Sequence, residues 1–395
     1  MFSFIYWKKT KRMKIVLSGV ETNNKGAELM LYAILQEIER KYPEATVYVE
    51  LGSISQGLEY IDTPLKLRQK PIAYARKWCA RLHMFGIARR LHVNPIVFED
   101  IYAVPRTDFF LNDSGFYYSD QWNLSDAMIE KRRRLLRGHH RQGTKIVLLP
   151  QAFGPIHLPN TMRGIKDLNQ YAHVVMARER TSYNYLINTG LIDEAKIQLY
   201  PDFTSLVHGV MPKSYDHLRN GVCIIPNCRM LDKGNLTYHA YQSFIDAIIK
   251  ECTKNGFTPY LLNHEGKDDG VLARRMAADA SQRIEVVDGL NALQVKGIIS
   301  SSYLVITSRF HGVASALNSS VPCLATSWSH KYQELFTDYQ QSDCVLDVMD
   351  ISHSLDVVGE YLDKERNRKT RAQLNVIAPT MREKSREMWQ YIWSL

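Results

Sequence analysis

Two side chains two residues apart, Arg309 and His311, lie in the run Thr307-Ser308-Arg309-Phe310-His311-Gly312, where an apolar stretch gives way to a helical pattern. A strand end passing into a helix would send both side chains off the same strand end, beside the free N–H groups of a helix N-terminus. A fixed cation and a group that titrates near neutrality then meet at one point. Two readings stand: acid–base work on an anionic substrate, or an Arg309 paired with a core acid and a His311 that caps its helix.

Three other turns fall just after apolar runs. Asn23-Asn24-Lys25-Gly26-Ala27-Glu28 opens a helix, and its small residues would let N–H groups approach an anion. A plain cap built from Asn24 would look the same. Asn112-Asp113-Ser114-Gly115-Phe116, with Asp120 shortly after, puts a carboxylate in a turn. Pro150-Gln151-Ala152-Phe153-Gly154-Pro155 is a rigid loop at a binding edge or an ordinary strand-to-loop turn. Trp328, His330, Lys331 and Tyr332 follow a later strand and could wall the same cleft.

Missing motifs narrow the chemistry. No G-x-x-x-x-G-K-[ST] occurs, no G-x-G-x-x-G follows the first strand, and H-E-x-x-H and G-x-S-x-G are absent. Without an Asp-x-Asp pair either, metal catalysis is not expected and no cofactor is implied. The six cysteines (79, 223, 228, 252, 323 and 344) lack zinc-finger spacing and read as free thiols of a reducing compartment.

The elements that must position these turns alternate between strand and helix, the pattern of open parallel sheets. Strands are expected over 14–18, 46–50, 108–112, 145–149, 174–177 and 196–200, with helices over 26–40 and 125–137. A second set runs through strands 222–225, 259–263, 285–287, 304–308 and 323–327, with helices 237–254, 270–280, 292–300 and 312–319. The fold class is therefore α/β, with two Rossmann-like domains facing each other across a cleft in a GT-B-like arrangement, plus a C-terminal helical tail from about 351. Residues 1–200 form the first domain, 201–220 the linker, and 221–395 the second domain and tail. Ligands in such sheets bind beyond the carboxyl ends of the strands.

Hydrophobic residues make up 45% of the 395 and charged residues 23%, which rules out a disordered chain. No apolar run approaches the roughly 20 residues of a spanning helix, and the chain reads as cytosolic. The net charge of +9 is local: residues 66–90 hold eight cations and 131–145 seven, neither with an acid, and the balance elsewhere is −6. Residues 66–92 interleave these cations with Tyr74, Trp78, Leu82 and Phe85. They read as a basic amphipathic helix for an anionic membrane surface, for a partner's acidic groove, or for packing on the core. No nucleic-acid-binding signature accompanies the patch, so nucleic acid is not an expected partner.

Taken in order, the turns resemble the polysaccharide pyruvyl transferase family. The residues that carry the resemblance begin with Asn24-x-Gly26-Ala27-Glu28 and Pro150-Gln151-x-x-Gly154-Pro155. Ala177-Arg178-Glu179 with Ser182, Pro201-Asp202, Ser308-Arg309-Phe310-His311 and Trp328-x-x-Lys331-Tyr332 follow. Residues 52–104 show no family pattern and read as an insertion. The resemblance implies transfer of an enolpyruvyl unit from phosphoenolpyruvate, a substrate rather than a cofactor, to two hydroxyls of a sugar. Such a donor needs cations, for which Arg309, Arg178 and Lys331 are the candidates. His311 is then the acid or base, with Asp113 or Glu28 assisting the cationic centre. Asn24, Gly26, Ser114, Gly115 and Gln151 are expected to line the substrate site. A saccharide acceptor, polymeric or carried on polyprenyl diphosphate, would meet Tyr117, Tyr118, Trp122 and Trp328. Two rivals fit the same architecture: a glycosyltransferase with a nucleotide-sugar donor, and a non-catalytic saccharide-binding protein.

Overall fold

Strands buried on both faces must be short apolar runs, and the helices between them need one apolar side to cover the sheet. The chain meets both conditions twice. The computed structural model describes residues 12–49, 57–69, 90, 106–232, 234–326, 331–341 and 344–395. Among them the first lobe contains β1 (Lys14–Ser18), β2 (Thr46–Val49), β3 (Lys66–Gln69), β4 (Phe109–Asn112), β5 (Lys145–Gln151), β6 (Val174–Ala177) and β7 (Ile197–Leu199). These pair in parallel in the order β3-β2-β1-β4-β5-β6-β7. Helices α1 (Lys25–Lys41), α2 (Asp126–Arg141), α3 (Pro159–Tyr171) and α4 (Arg180–Asn188) connect them. Alternation along β1 sends Ile15 and Leu17 into one core and Val16 into the core on the opposite face.

The second lobe repeats the plan with β8 (Val222–Ile225), β9 (Pro259–Leu262), β10 (Glu285–Val287), β11 (Leu304–Thr307), β12 (Cys323–Thr326) and β13 (Val345–Leu346). Their order is β10-β9-β8-β11-β12-β13, again parallel. Besides the single turn Arg229–Asp232, its helices among the described residues are α5 (Tyr238–Lys254), α6 (Gly266–Asp279), α7 (Ala292–Ser300), α8 (Phe310–Asn318), α9 (Lys331–Asp338) and α10 (Ile351–Leu362). In each sheet the order reverses beside the first strand of the lobe, and there a crevice opens at the carboxyl ends. The turns after β1 and β4 flank one switch point, and the turn after β11 flanks the other.

One expectation is corrected. Residues 66–69, read as the start of a basic amphipathic helix, form edge strand β3 in register with β2. Leu65, Lys66, Leu67 and Arg68 alternate apolar with polar, a period of two that overrides the charge pattern. The rest of the 66–92 segment, apart from Arg90, lies outside the described residues.

The tail forms α11 (Lys364–Ser394), 31 residues long. Its Leu374, Ala378 and Met381 pack into the second lobe, whereas Met388, Trp389 and Ile392 complete the core of the first. Residues 201–220 hold two 3-10 turns, Phe203–Leu206 and Lys213–Leu218, the first of them buried at Phe203, Thr204 and Ser205. The lobes also meet directly. Asn24 bridges Glu265, Gly266 N donates to Asn23 O at 3.0 Å, and Ala292 N donates to the Glu28 carboxylate at 3.2 Å. No helix among the described residues is long and apolar enough to cross a membrane.

Candidate active site

The turn after β11 is held from below. Ser308 is buried, its hydroxyl pairs with Tyr241 at 2.8 Å and with Thr326, and its carbonyl accepts from Tyr332 (2.8 Å) and Asn227 (2.6 Å). Arg309 then takes extended dihedrals as the N-cap of α8, with its N–H on the Thr307 hydroxyl at 3.0 Å. Its guanidinium meets Asp269 and Glu265, with Nε 2.8 Å from Asp269 Oδ2. Burial lowers the Arg309 pKa to about 10 and raises that of Asp269 to about 6. The guanidinium is thus paired with two carboxylates of the second lobe.

His311 turns the other way, toward the first lobe. A Cβ on Gly26 would overlap the imidazole, so only glycine lets α1 approach this ring. His311 Nε2 lies 3.3 Å from Asp202 Oδ2, an ion-pair distance poorly aligned for a hydrogen bond. Asp202 follows β7, and its Oδ1 accepts from Thr204 N at 2.9 Å and from the Thr204 hydroxyl. Burial works against the Asp202 carboxylate, but His311, Arg178 and Thr204 outweigh it and hold its pKa well below the usual range.

Arg178, at the end of β6, lies 3.7 Å from Asp202 and 3.3 Å from Glu179. Its guanidinium covers the Phe310 ring at 4.1 Å, a contact between lobes. Glu179 also receives the Ser182 hydroxyl, and Ser182 accepts from Phe153 N at 2.7 Å, which ties down the 150–155 loop. Asp113 is 3% exposed, and neither of its carboxylate oxygens has a hydrogen-bond partner. Burial foremost, then the charge of Asp202, pushes it well above the usual carboxylate range; Arg178 opposes and Glu21 adds. Asp113 therefore favours the neutral carboxyl form beside an ionised Asp202.

Other expected residues sit around this centre. Asn24 caps α1 by accepting from Gly26 N at 2.8 Å and Ala27 N at 3.3 Å. Glu28 is occupied by Lys25 (2.6 Å), Tyr60 (3.3 Å) and Ala292 N, so its carboxylate serves the lobe junction rather than a reacting centre. Gln151 is fully buried on Asn112, with its amide oxygen unpartnered. Ser114 accepts from Asn112 and Arg132, Gly115 takes φ +64° in the turn, and Tyr117 lies under the Arg132 guanidinium at 4.3 Å. Trp328 lies outside the described residues, and of Lys331 only the backbone that opens α9 is described.

Three residues outside the expected set belong here. Asp202 carries the interlobe pair, and its signal was the Pro201-Asp202 step directly after a strand. His264 is buried at the junction, where burial and the charges of Arg309, His311 and Lys25 keep its imidazole neutral. Asp338 faces the crevice that Arg178, Glu179, Asp202 and Phe310 also line, and burial raises its pKa to about 6. The arrangement can exchange protons at His311 and Asp113 and attract an anion at Arg178.

Two parallel-sheet lobes meeting over such a crevice define the architecture of GT-B-fold enzymes. HepE of Anabaena, solved in complex with UDP, is similar at TM-score 0.59, 11% identity, and coverage of 97% of this chain and 100% of that one. The UDP-GlcNAc 2-epimerase from Neisseria meningitidis bound to UDP-GlcNAc gives 0.57, 10%, 97% and 100%, and trehalose-6-phosphate synthase OtsA gives 0.59, 9%, 97% and 99%. No curated protein matches the sequence. The family profile for polysaccharide pyruvyl transferase matches residues 24–330, and the chain belongs to that family of transferases.

Proposed function

We propose that the chain transfers pyruvate from phosphoenolpyruvate to two hydroxyls of a hexose, galactose being favoured, as a cyclic ketal with release of phosphate. The acceptor is a bacterial-type surface polysaccharide precursor, lipid-linked or polymeric. A lipid-linked acceptor would bring the chain to the inner face of the cytoplasmic membrane as a peripheral protein.

The observation that supports this reading most is His311 facing Asp202 across the lobes at 3.3 Å, with the carboxyl group of Asp113 buried and without a hydrogen-bond partner in the same lobe as Asp202. Protonation of the methylene carbon makes an oxocarbenium-like centre, and an acceptor hydroxyl adds to it as its proton leaves to a base. Phosphate then departs with its C–O bond electrons, and the second hydroxyl closes the ring and gives up its proton. Asp113 is suited to donate and His311, steadied by Asp202, to accept. Arg178 takes the donor's phosphate or carboxylate, and the donor displaces Glu265 from Arg309 to gain a second guanidinium.

The test is incubation with phosphoenolpyruvate and a panel of lipid-linked or aryl galactosides, glucosides and mannosides, read by mass and phosphate release. His311→Gln is expected to lower turnover by about 10²–10⁴; near wild-type turnover removes His311 from proton transfer. Ligand-induced melting separates the main rival. Phosphoenolpyruvate should raise the midpoint, and a rise with uridine or guanosine diphosphate instead would favour a nucleotide-sugar transferase.

A further inference from the structure

Lys296, on α7 of the second lobe, is 2% exposed and among the largest side chains wholly enclosed by the fold. A buried ammonium survives only where it is bonded. Its Nζ donates to the Thr204 carbonyl of the first 3-10 turn at 2.8 Å. Asp202 already grips the N–H and hydroxyl of the same residue. Thr204 is thus held from both sides, by the aspartate that faces His311 and by a lysine from the opposite lobe.

The surroundings leave this strut little slack. Val210 N donates to Leu293 O at 2.8 Å, and a Cβ on Gly297 would overlap the Val210 backbone. Ser205 pairs with Ser385 of α11 at 2.8 Å. Burial lowers the Lys296 pKa to about 7; the Asp202 charge opposes that fall and Arg382 of α11 adds to it.

We propose that Lys296 is a positioning residue: by fixing the 203–206 turn it keeps the Asp202 carboxylate opposite His311, and so holds that imidazole in place. The inference rests on the reading of His311 as the proton-transfer group.

The test is a double-mutant cycle on the full chain, read by phosphate release from phosphoenolpyruvate. Lys296→Met is expected to lower kcat about tenfold with KM changed less than about twofold, and to add nothing in an Asp202→Asn background. Multiplicative losses in the double variant, or a loss confined to KM, would overturn the proposal. Lys296→Gln, which keeps a donor without the charge, runs the same cycle where the Met variant does not fold. Wild-type turnover in His311→Gln sinks the reading of the site instead, whatever Lys296 does.

Discussion

The segments that follow β4 and β7 leave the same edge of one sheet, and each carries a buried aspartate. Their carboxyl groups are nonetheless driven in opposite directions. Asp202 has His311, Arg178 and Thr204 to favour its charge, whereas Asp113 has no hydrogen-bonding partner and feels Asp202 as a like charge. Burial alone would raise both; the partners decide. Environments that push two acids apart are how one site holds a proton donor and a fixed anion at the same pH.

The largest effect should come from removing the anion. Asp202→Asn is expected to cut phosphate release about 10³-fold or more, as the imidazole loses the carboxylate that orients it. Steady-state assays retaining a tenth of wild-type turnover would separate Asp202 from the chemistry. Stability should then split the pair. The raised pKa of Asp113 means that its contribution is fully present below the ordinary value of 3.8 and is lost as pH climbs toward the folded value. Asp113→Asn should therefore leave the melting midpoint unchanged near about pH 4 and raise it near about pH 8. Asp202 runs the other way: its stabilisation is present above 3.8 and is lost as pH falls toward its depressed folded value. Asp202→Asn should cost about 3 kcal/mol near neutrality, by analogy with breaking a buried pair. Melts across that pH range in which both variants move the same way would end the comparison.

The smallest effect concerns the second lobe, where Arg309 already has two acid partners. Arg309→Lys should raise the phosphoenolpyruvate KM about tenfold by removing the planar fork. An unchanged KM would leave Arg309 as scaffolding for Asp269.

Much of this was legible in the sequence. Apolar runs at strand length marked eleven of the thirteen strands, since parallel strands buried on two faces are written that way, whereas the cation-bearing edge strand β3 and the two-residue β13 gave no such run. The turn at Arg309 and His311 stood out because it joins a strand to a helix. Partner choice was not legible: Asp269 and Glu265, which occupy Arg309, come from another βα unit that only the fold brings near. Lys296 was hidden differently. In Ala292–Ser300 a lone lysine among apolar residues reads as a solvent-facing side chain, and only the opposing lobe encloses it. The 13-residue α3 gave little signal because Thr161, Gly164 and Asp167 share its buried side with Ile165 and Leu168.

The 31-residue α11 carries one more consequence. Trp389 stands edge-on to Phe203 at 5.9 Å and, with Met388 and Ile392, closes a core that begins with Ile15. A segment synthesised late therefore finishes a nucleus begun early, so the leading half cannot mature on the ribosome ahead of its sibling. Expressed alone, it should stick to itself or to chaperones until those three side chains are supplied.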